Sequence, residues 1–151
     1  MKKLPNIPFL SQYPSFLMLA DSLSDLVIVV DSKRVILYVN RTTCKRTGYK
    51  YAELVGKKNT ILYGKENSLR YAAKMVKALS GSGCWKGGIE VRKKDGTMFR
   101  TDTSVFEFYD TKGQSSGIIS VAHDLSEQRL LVFSSDPVQI HIRNISNSVF
   151  V

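Results

Sequence analysis

The sequence predicts an α+β domain built on one antiparallel sheet with helices on one face, and three observations carry that prediction. Trp85 to Arg92, Met98 to Tyr109 and Gly117 to His123 alternate apolar and polar residues in three consecutive runs. Leu26-Val27-Ile28-Val29-Val30 and Val35-Ile36-Leu37-Tyr38-Val39 form a second, β-branched group of strands. Between the groups lie only short segments with helical spacing and helix-stop glycines. Strands at both ends with helices gathered between them fit an α+β layer architecture.

The elements follow in order. Residues 1–13 hold Pro5 and Pro8 and show no periodicity, so they read as a tail. Pro14 suits the first turn of a helix over about Ser15 to Leu23, with Phe16, Leu19 and Leu23 on one face. Asp31-Ser32-Lys33-Arg34 turns the first strand into the second, and both strands are apolar on two faces, so helices or a partner chain must cover at least one of them. Asn40 is a good N-cap for Arg41 to Thr47, stopped by Gly48. Tyr51 to Val55 is stopped by Gly56, and Asn59 to Gly64 has no clear period. Asn67-Ser68 can cap a helix from Leu69 to Leu79, whose Leu69, Ala72, Val76 and Leu79 share a face. Asp95-Gly96 marks the next hairpin, and Thr111-Lys112-Gly113 the last turn.

Composition narrows the function classes. A chain of 151 residues, 43% hydrophobic and 23% charged, can bury a single core without disulfides or metals. Cys44 and Cys84 have no histidine near them in sequence, so reduced thiols in a cytoplasmic protein are expected. Pro5, Pro8, Pro14 and Gln12 break any signal-peptide pattern, and no window is apolar for the ~20 residues a membrane helix needs. The net charge of +9 is spread rather than clustered; Arg92-Lys93-Lys94 flanks a hairpin turn, so direct nucleic-acid binding is not expected. His123 and His141 are the only histidines; His123 stands beside Asp124 and reads as a solvated strand-end residue. No Ser/His/Asp arrangement or phosphate-cradling glycine loop stands out, and the chain is not expected to be an enzyme.

Seven fragments then share an order and spacing: Asp25 to Asp31, Ile36 to Asn40, Thr47-Gly48-Tyr49, Glu53-Leu54-Val55-Gly56-Lys57, Gly83-Cys84-Trp85-Lys86-Gly87, Arg92 to Thr97, and Asp124-Leu125-Ser126-Glu127-Gln128. In these the chain resembles a PAS domain with its C-terminal PAC strands, the sensory box of signalling proteins, over about residues 14–130. The resemblance implies a five-stranded antiparallel sheet in the order 2-1-5-4-3 and a pocket between it and the helices. Residues 14–125 would form the domain with its N-terminal helix. Residues 126–151 would be an exit helix with a linker or the start of a following domain, although Pro137 forbids one unbroken helix. For 130–151 a receiver-like first strand and a pairing strand at 140–151 both remain open.

The resemblance also implies a sensory role. A small ligand or protein partner would be bound and the change relayed to an output domain such as a kinase, diguanylate cyclase or transcription regulator. Alternation suggests a pocket of Ile28, Val30, Ile61, Met75, Ile89, Phe106 and Ile119, joined by Tyr71 and Trp85. Asp124 and Glu127, spaced as a capping box, would couple the last strand to the exit helix. Phe16, Leu17 and Leu19, with Met18, would form a two-fold homodimer interface.

Cofactor modes can be tested residue by residue. In light-sensing flavin members the reactive cysteine would fall at Asn59, and the flavin-holding amides at Val91, Thr101 and Ala122. None of these matches. Haem-bearing members use a histidine on the central helix, where this chain has Tyr71 or its neighbour, so haem is not expected. Trp85-Lys86-Gly87 matches a subgroup that includes FAD-carrying redox sensors. No cofactor is the expectation, with a flavin-bearing redox sensor and the dimerisation region of a transcription factor as alternatives.

Overall fold

A computed structural model describes residues 13–126. The chain begins with helix α1 (Pro14–Ser22), followed by the hairpin β1 (Leu26–Asp31) and β2 (Ile36–Val39). Three short helices come next, α2 (Arg41–Thr47), α3 (Tyr51–Leu54) and α4 (Thr60–Tyr63), then the long α5 (Lys65–Ser82). Strands β3 (Cys84–Arg92), β4 (Met98–Tyr109) and β5 (Ser115–Asp124) complete the domain. The five strands form one antiparallel sheet in the order β2-β1-β5-β4-β3.

Strand β1 is an interior strand, pairing with β2 on one side and β5 on the other. All five of its first residues are buried, as a strand covered on both faces requires. Leu26, Ile28 and Val30 enter an inner cluster with Leu54, Leu62, Tyr71 and Ile89 beneath the helices. Val27 and Val29 enter an outer cluster with Leu17 and Ala20 of α1, Tyr38 and Phe108. Burying each such aliphatic side chain contributes about 1.5–3 kcal/mol as an upper bound. Thus α2 to α5 cover one face of the sheet, while α1 alone seats on the other, over β1 and β2.

Asn40 joins these layers. Its side chain is fully buried. The Oδ1 atom accepts the amides of Thr43 at 3.0 Å and Val27 at 3.0 Å, which caps α2 and ties it to β1. The Nδ2 atom donates to the carbonyls of Ala20 at 2.8 Å and Asp25 at 2.9 Å, which fixes the end of α1.

Several boundaries differ from the sequence reading. Helix α5 starts at Lys65, so Asn67 and Ser68 lie within it rather than capping it. Ser68 is buried and its hydroxyl bonds Asn59 Oδ1 at 3.3 Å. The stretch without a period contains α4, a single turn held by the Gly64 amide on Thr60 O at 2.8 Å. The face of α5 is met in part: Ala72, Val76 and Leu79 line the side toward the sheet, but Leu69 and Val76 are largely exposed, and Tyr71 and Ser68 are the buried residues. Among the described residues, no helix is long and apolar enough to cross a membrane.

Candidate ligand-binding site

A cavity of about 340 Å³ lies between α5 and the inner face of the sheet. Its floor is the sheet: Val30 from β1, Ile89 from β3, and Gly117, Ile118 and Ser120 from β5. Its roof is α5, through Ser68, Tyr71, Ala72, Met75, Val76 and Leu79, with Asn59 and Tyr63 closing one end. The β1–β2 turn, with Asp31, Ser32 and Arg34, and Glu107 and Ser115 of the β4–β5 hairpin frame its mouth.

One glycine makes this geometry possible. Gly117 has φ +154°, and a Cβ there would stand 2.0 Å from the Val30 carbonyl oxygen and 2.9 Å from both Asp31 Cα and Phe108 Cε1. Only hydrogen fits where β5 meets β1, so Val30 and Ile118 can share the cavity wall.

The tyrosines at the closed end are held in place. Tyr71 is buried and its hydroxyl accepts the Glu90 amide at 3.1 Å. Its ring meets that of Tyr63 edge-on at 6.4 Å. Burial, reinforced by the neighbouring Tyr71, pushes the Tyr63 phenol well above its ordinary range, so it is neutral and able to donate.

The residues expected in the pocket are thereby sorted. Val30, Tyr71, Met75 and Ile89 line the cavity. Ile28 and Ile61 belong to the surrounding inner core and do not reach the cavity surface. Phe106 and Ile119 are directly paired across β4 and β5, and they lie on the opposite face: Ile119 packs on the outer cluster and Phe106 is exposed. Strand parity places Glu107, Ile118 and Ser120 inward instead. Trp85 stands outside, its indole over Gly87 in a separate shallow groove with Ala73, Lys74, Ala78 and Gly81. Sequence reasoning missed Arg34, Tyr63, Ser68 and Ser120. Asn59 had a signal, since the resemblance put a pocket residue at that position.

The flavin-holding positions remain unsuited to that cofactor. Val91 and Ala122 are apolar core. The buried Thr101 hydroxyl is committed to Ile89 O at 2.9 Å and to Thr103 Oγ1 at 2.8 Å. A flavin ring edge would find no free amide there.

Asp124 ends β5 at the far side of the domain. Its Oδ1 accepts the Ser126 amide at 2.9 Å and hydroxyl at 2.6 Å, and its Oδ2 faces Arg46 of α2 at 3.5 Å. The Leu125 amide returns to Arg100 O of β4 at 3.0 Å. Glu127 lies outside the described residues. His123 pairs with Asp25 at 2.8 Å rather than with its neighbour Asp124. On α1, Leu17 is buried within its own domain and Phe16 packs on Tyr38 at 6.4 Å, whereas Met18 and Leu19 are 77% and 60% exposed. Leu17 and Phe16 are therefore committed internally and do not form a free dimer face.

A sheet of this order, with a cavity under one helical layer and a hydrogen-bonded turn at the end of its central β5, is the architecture of a two-layer α+β module. The chain belongs to the PAS domain family, whose model matches residues 24–127. It is 23% identical over 125 residues to a nitrogen fixation regulatory protein of Klebsiella oxytoca, an alignment covering 79% of this chain and 25% of that protein. The chain thus spans about a quarter of the length of the curated relatives it matches. Among solved structures, it resembles the PAS domain of a Colwellia psychrerythraea protein with TM-score 0.69 and 20% identity, over 79% of this chain and 98% of that one. It also resembles the PAS domain of a LuxR-family transcriptional regulator from Burkholderia thailandensis, in complex with ethanol, with TM-score 0.61 and 16% identity, over 72% of this chain and 96% of that one.

Proposed function

We infer that this PAS domain senses a small molecule held between α5 and the sheet, and passes the change along β5 to Asp124 and the exit segment. The cavity carries this reading: about 340 Å³ lies within the range of small-molecule sites, and its walls are mostly apolar with a few polar groups. Strand β5 supplies both the wall, through Gly117, Ile118 and Ser120, and the Asp124 turn. A ligand that shifts β5 would strain the Asp124–Ser126 and Asp124–Arg46 contacts, and with them the path toward Glu127.

In this reading the domain has no catalytic activity of its own and works in the cytoplasm as part of a signalling protein. Its output would be a kinase, a diguanylate cyclase or a transcription regulator. The exposed Met18 and Leu19 on α1 and Phe106 on the same side of the sheet support a homodimer through the outer face. The flavin-bearing alternative loses support because Trp85 does not reach the cavity.

The test is an ultraviolet-visible spectrum of freshly purified protein, with mass spectrometry of the supernatant released by heat. Met75→Trp, which fills the cavity, serves as the comparison. A small molecule released from the wild type and absent from the variant supports the reading. A visible flavin or haem band would replace it with cofactor sensing. If neither protein releases a molecule, and no small molecule protects the wild type from thermal unfolding, ligand sensing is refuted.

A further inference from the structure

The mouth of the cavity carries a cation that no described residue pairs. Arg34 sits in the β1–β2 turn at φ 63°, a left-handed backbone that glycine adopts more readily. Its backbone is fixed on both sides: the amide donates to Asp31 O at 2.9 Å, and the carbonyl accepts the Asn59 amide at 2.9 Å. The side chain lines the mouth, and among the described residues its guanidinium has no hydrogen bond, ion pair or ring contact.

The acidic residues at the same mouth are already engaged. Asp31 Oδ1 accepts the amides of Lys33 at 2.8 Å and Val35 at 2.9 Å. Glu107 Oε2 accepts the Tyr109 hydroxyl at 2.8 Å. Deeper in, Asn59 gives its Oδ1 to Ser68, and its Nδ2 has no protein partner among the described residues. Asp31 and Glu107 remain carboxylates at the same mouth, and beside them the cavity offers donors, a guanidinium and an amide, against walls such as Ile89, Ile118 and Met75. A guanidinium beside apolar walls suits a carboxylate better than a neutral head, because charge-assisted bidentate bonds are stronger where water is scarce. A volume of about 340 Å³ has room for about eleven water-sized groups at ~30 Å³ each.

We propose that the cavity takes a small organic acid with an apolar body of one ring or a medium chain, its carboxylate paired with Arg34. This deepens the ligand-sensing reading above and rests on it. The body lies against Met75, Ile89 and Ile118, and the head group sits between the β1–β2 turn and the start of α4.

The experiment titrates the full chain by calorimetry with matched probes, 3-phenylpropionate against 3-phenylpropanamide and octanoate against octanamide. The acids are expected to bind about tenfold or more tightly than their amides, the difference that hydrogen bonds to a charged group support. Arg34→Gln should bring each acid down to the level of its amide. Arg34→Gly should do the same, and its backbone suits the turn, so a folding defect cannot imitate the result. Lys33→Gln, at an exposed neighbour, should leave acid binding unchanged. Equal binding of acids and amides, unaffected by Arg34→Gln, overturns the assignment to acids while keeping the cavity as a ligand site. An equal loss in Lys33→Gln assigns the effect to the overall positive charge and also overturns it. Binding of no probe, acid or amide, overturns the assignment together with the cavity reading beneath it.

Discussion

Replacing Asn40 by Asp should damage the fold nearly as much as replacing it by Ala, although Asp is as good an N-cap by propensity. In Asn40→Ala the cap on Thr43 is lost, at about 1 kcal/mol. The Val27 amide and the Asp25 carbonyl lose a buried partner as well, at about 1–3 kcal/mol for each group left unsatisfied. The total is about 3–7 kcal/mol, a large part of the stability of an ordinary domain. Asn40→Asp keeps the acceptor that faces Val27 and Thr43 but replaces the donor that faces Ala20 O and Asp25 O with a second oxygen. Ionised, that oxygen repels both carbonyls; protonated, it can serve only one. The expected cost is about 3–5 kcal/mol. Urea unfolding followed by circular dichroism should show both midpoints lowered at unchanged slope. An Asp variant within about 1 kcal/mol of the wild type would refute the claim that the donated pair of bonds holds α1 in place.

Further outcomes are expected elsewhere in the domain. Gly117→Ala should lower stability by about 1–3 kcal/mol through overpacking against the Val30 carbonyl, seen as a lower Tm, and an unchanged Tm would show that β1 and β5 separate freely. Arg34→Gly should raise stability by about 1 kcal/mol by relieving the left-handed backbone at φ 63°, measured in the same urea assay; a loss would mean the side chain is structural. Burial, helped by the Asp21 carboxylate, raises the Tyr38 phenol above its ordinary 10.0, and burial raises Tyr51 and Tyr63 likewise. Because these folded-state values are raised, their contribution is complete below the unfolded value and is lost as pH climbs beyond it. Alkaline titration should therefore show these phenols ionising late, together with unfolding, whereas all 7 tyrosines ionising together near 10 in folded protein would contradict it.

The sheet was legible in the sequence because its signals are local and redundant. Asp95-Gly96 marks one hairpin, and the two β-branched runs read as strands apolar on two faces, which β1 bears out. Asn40 read as a cap and is one, but its bonds to Ala20 and Asp25 join residues far apart in the chain, which no local pattern encodes. The cavity was harder to see for a related reason. Hydrophobic alternation picks out the large apolar Phe106 and Ile119, whereas the inward positions beside them are Glu107, Ile118 and Ser120. Polar residues facing a cavity look like surface residues to a pattern based on hydrophobicity. The stripe of α5 was legible only in part for the same reason: Ala72, Val76 and Leu79 do face the cavity, but the buried Ser68 carries no hydrophobic signal and Leu69 of the stripe is exposed.

The seat of α1 bears on where this domain begins. The family match starts at residue 24, yet the buried amide of Asn40 ends on Ala20 O, and the Asp21 carboxylate takes both the Arg41 amide at 3.0 Å and the Tyr38 hydroxyl at 3.2 Å. A fragment cut at residue 24 would keep every strand but expose Val27 and Val29 and leave the base of α2 short of partners. A fragment that starts at Pro14 is therefore expected to be more stable to urea than one that starts at residue 24. A displacement of α1 would act on β1 through the packing of Leu17 and Ala20 on Val27 and Val29.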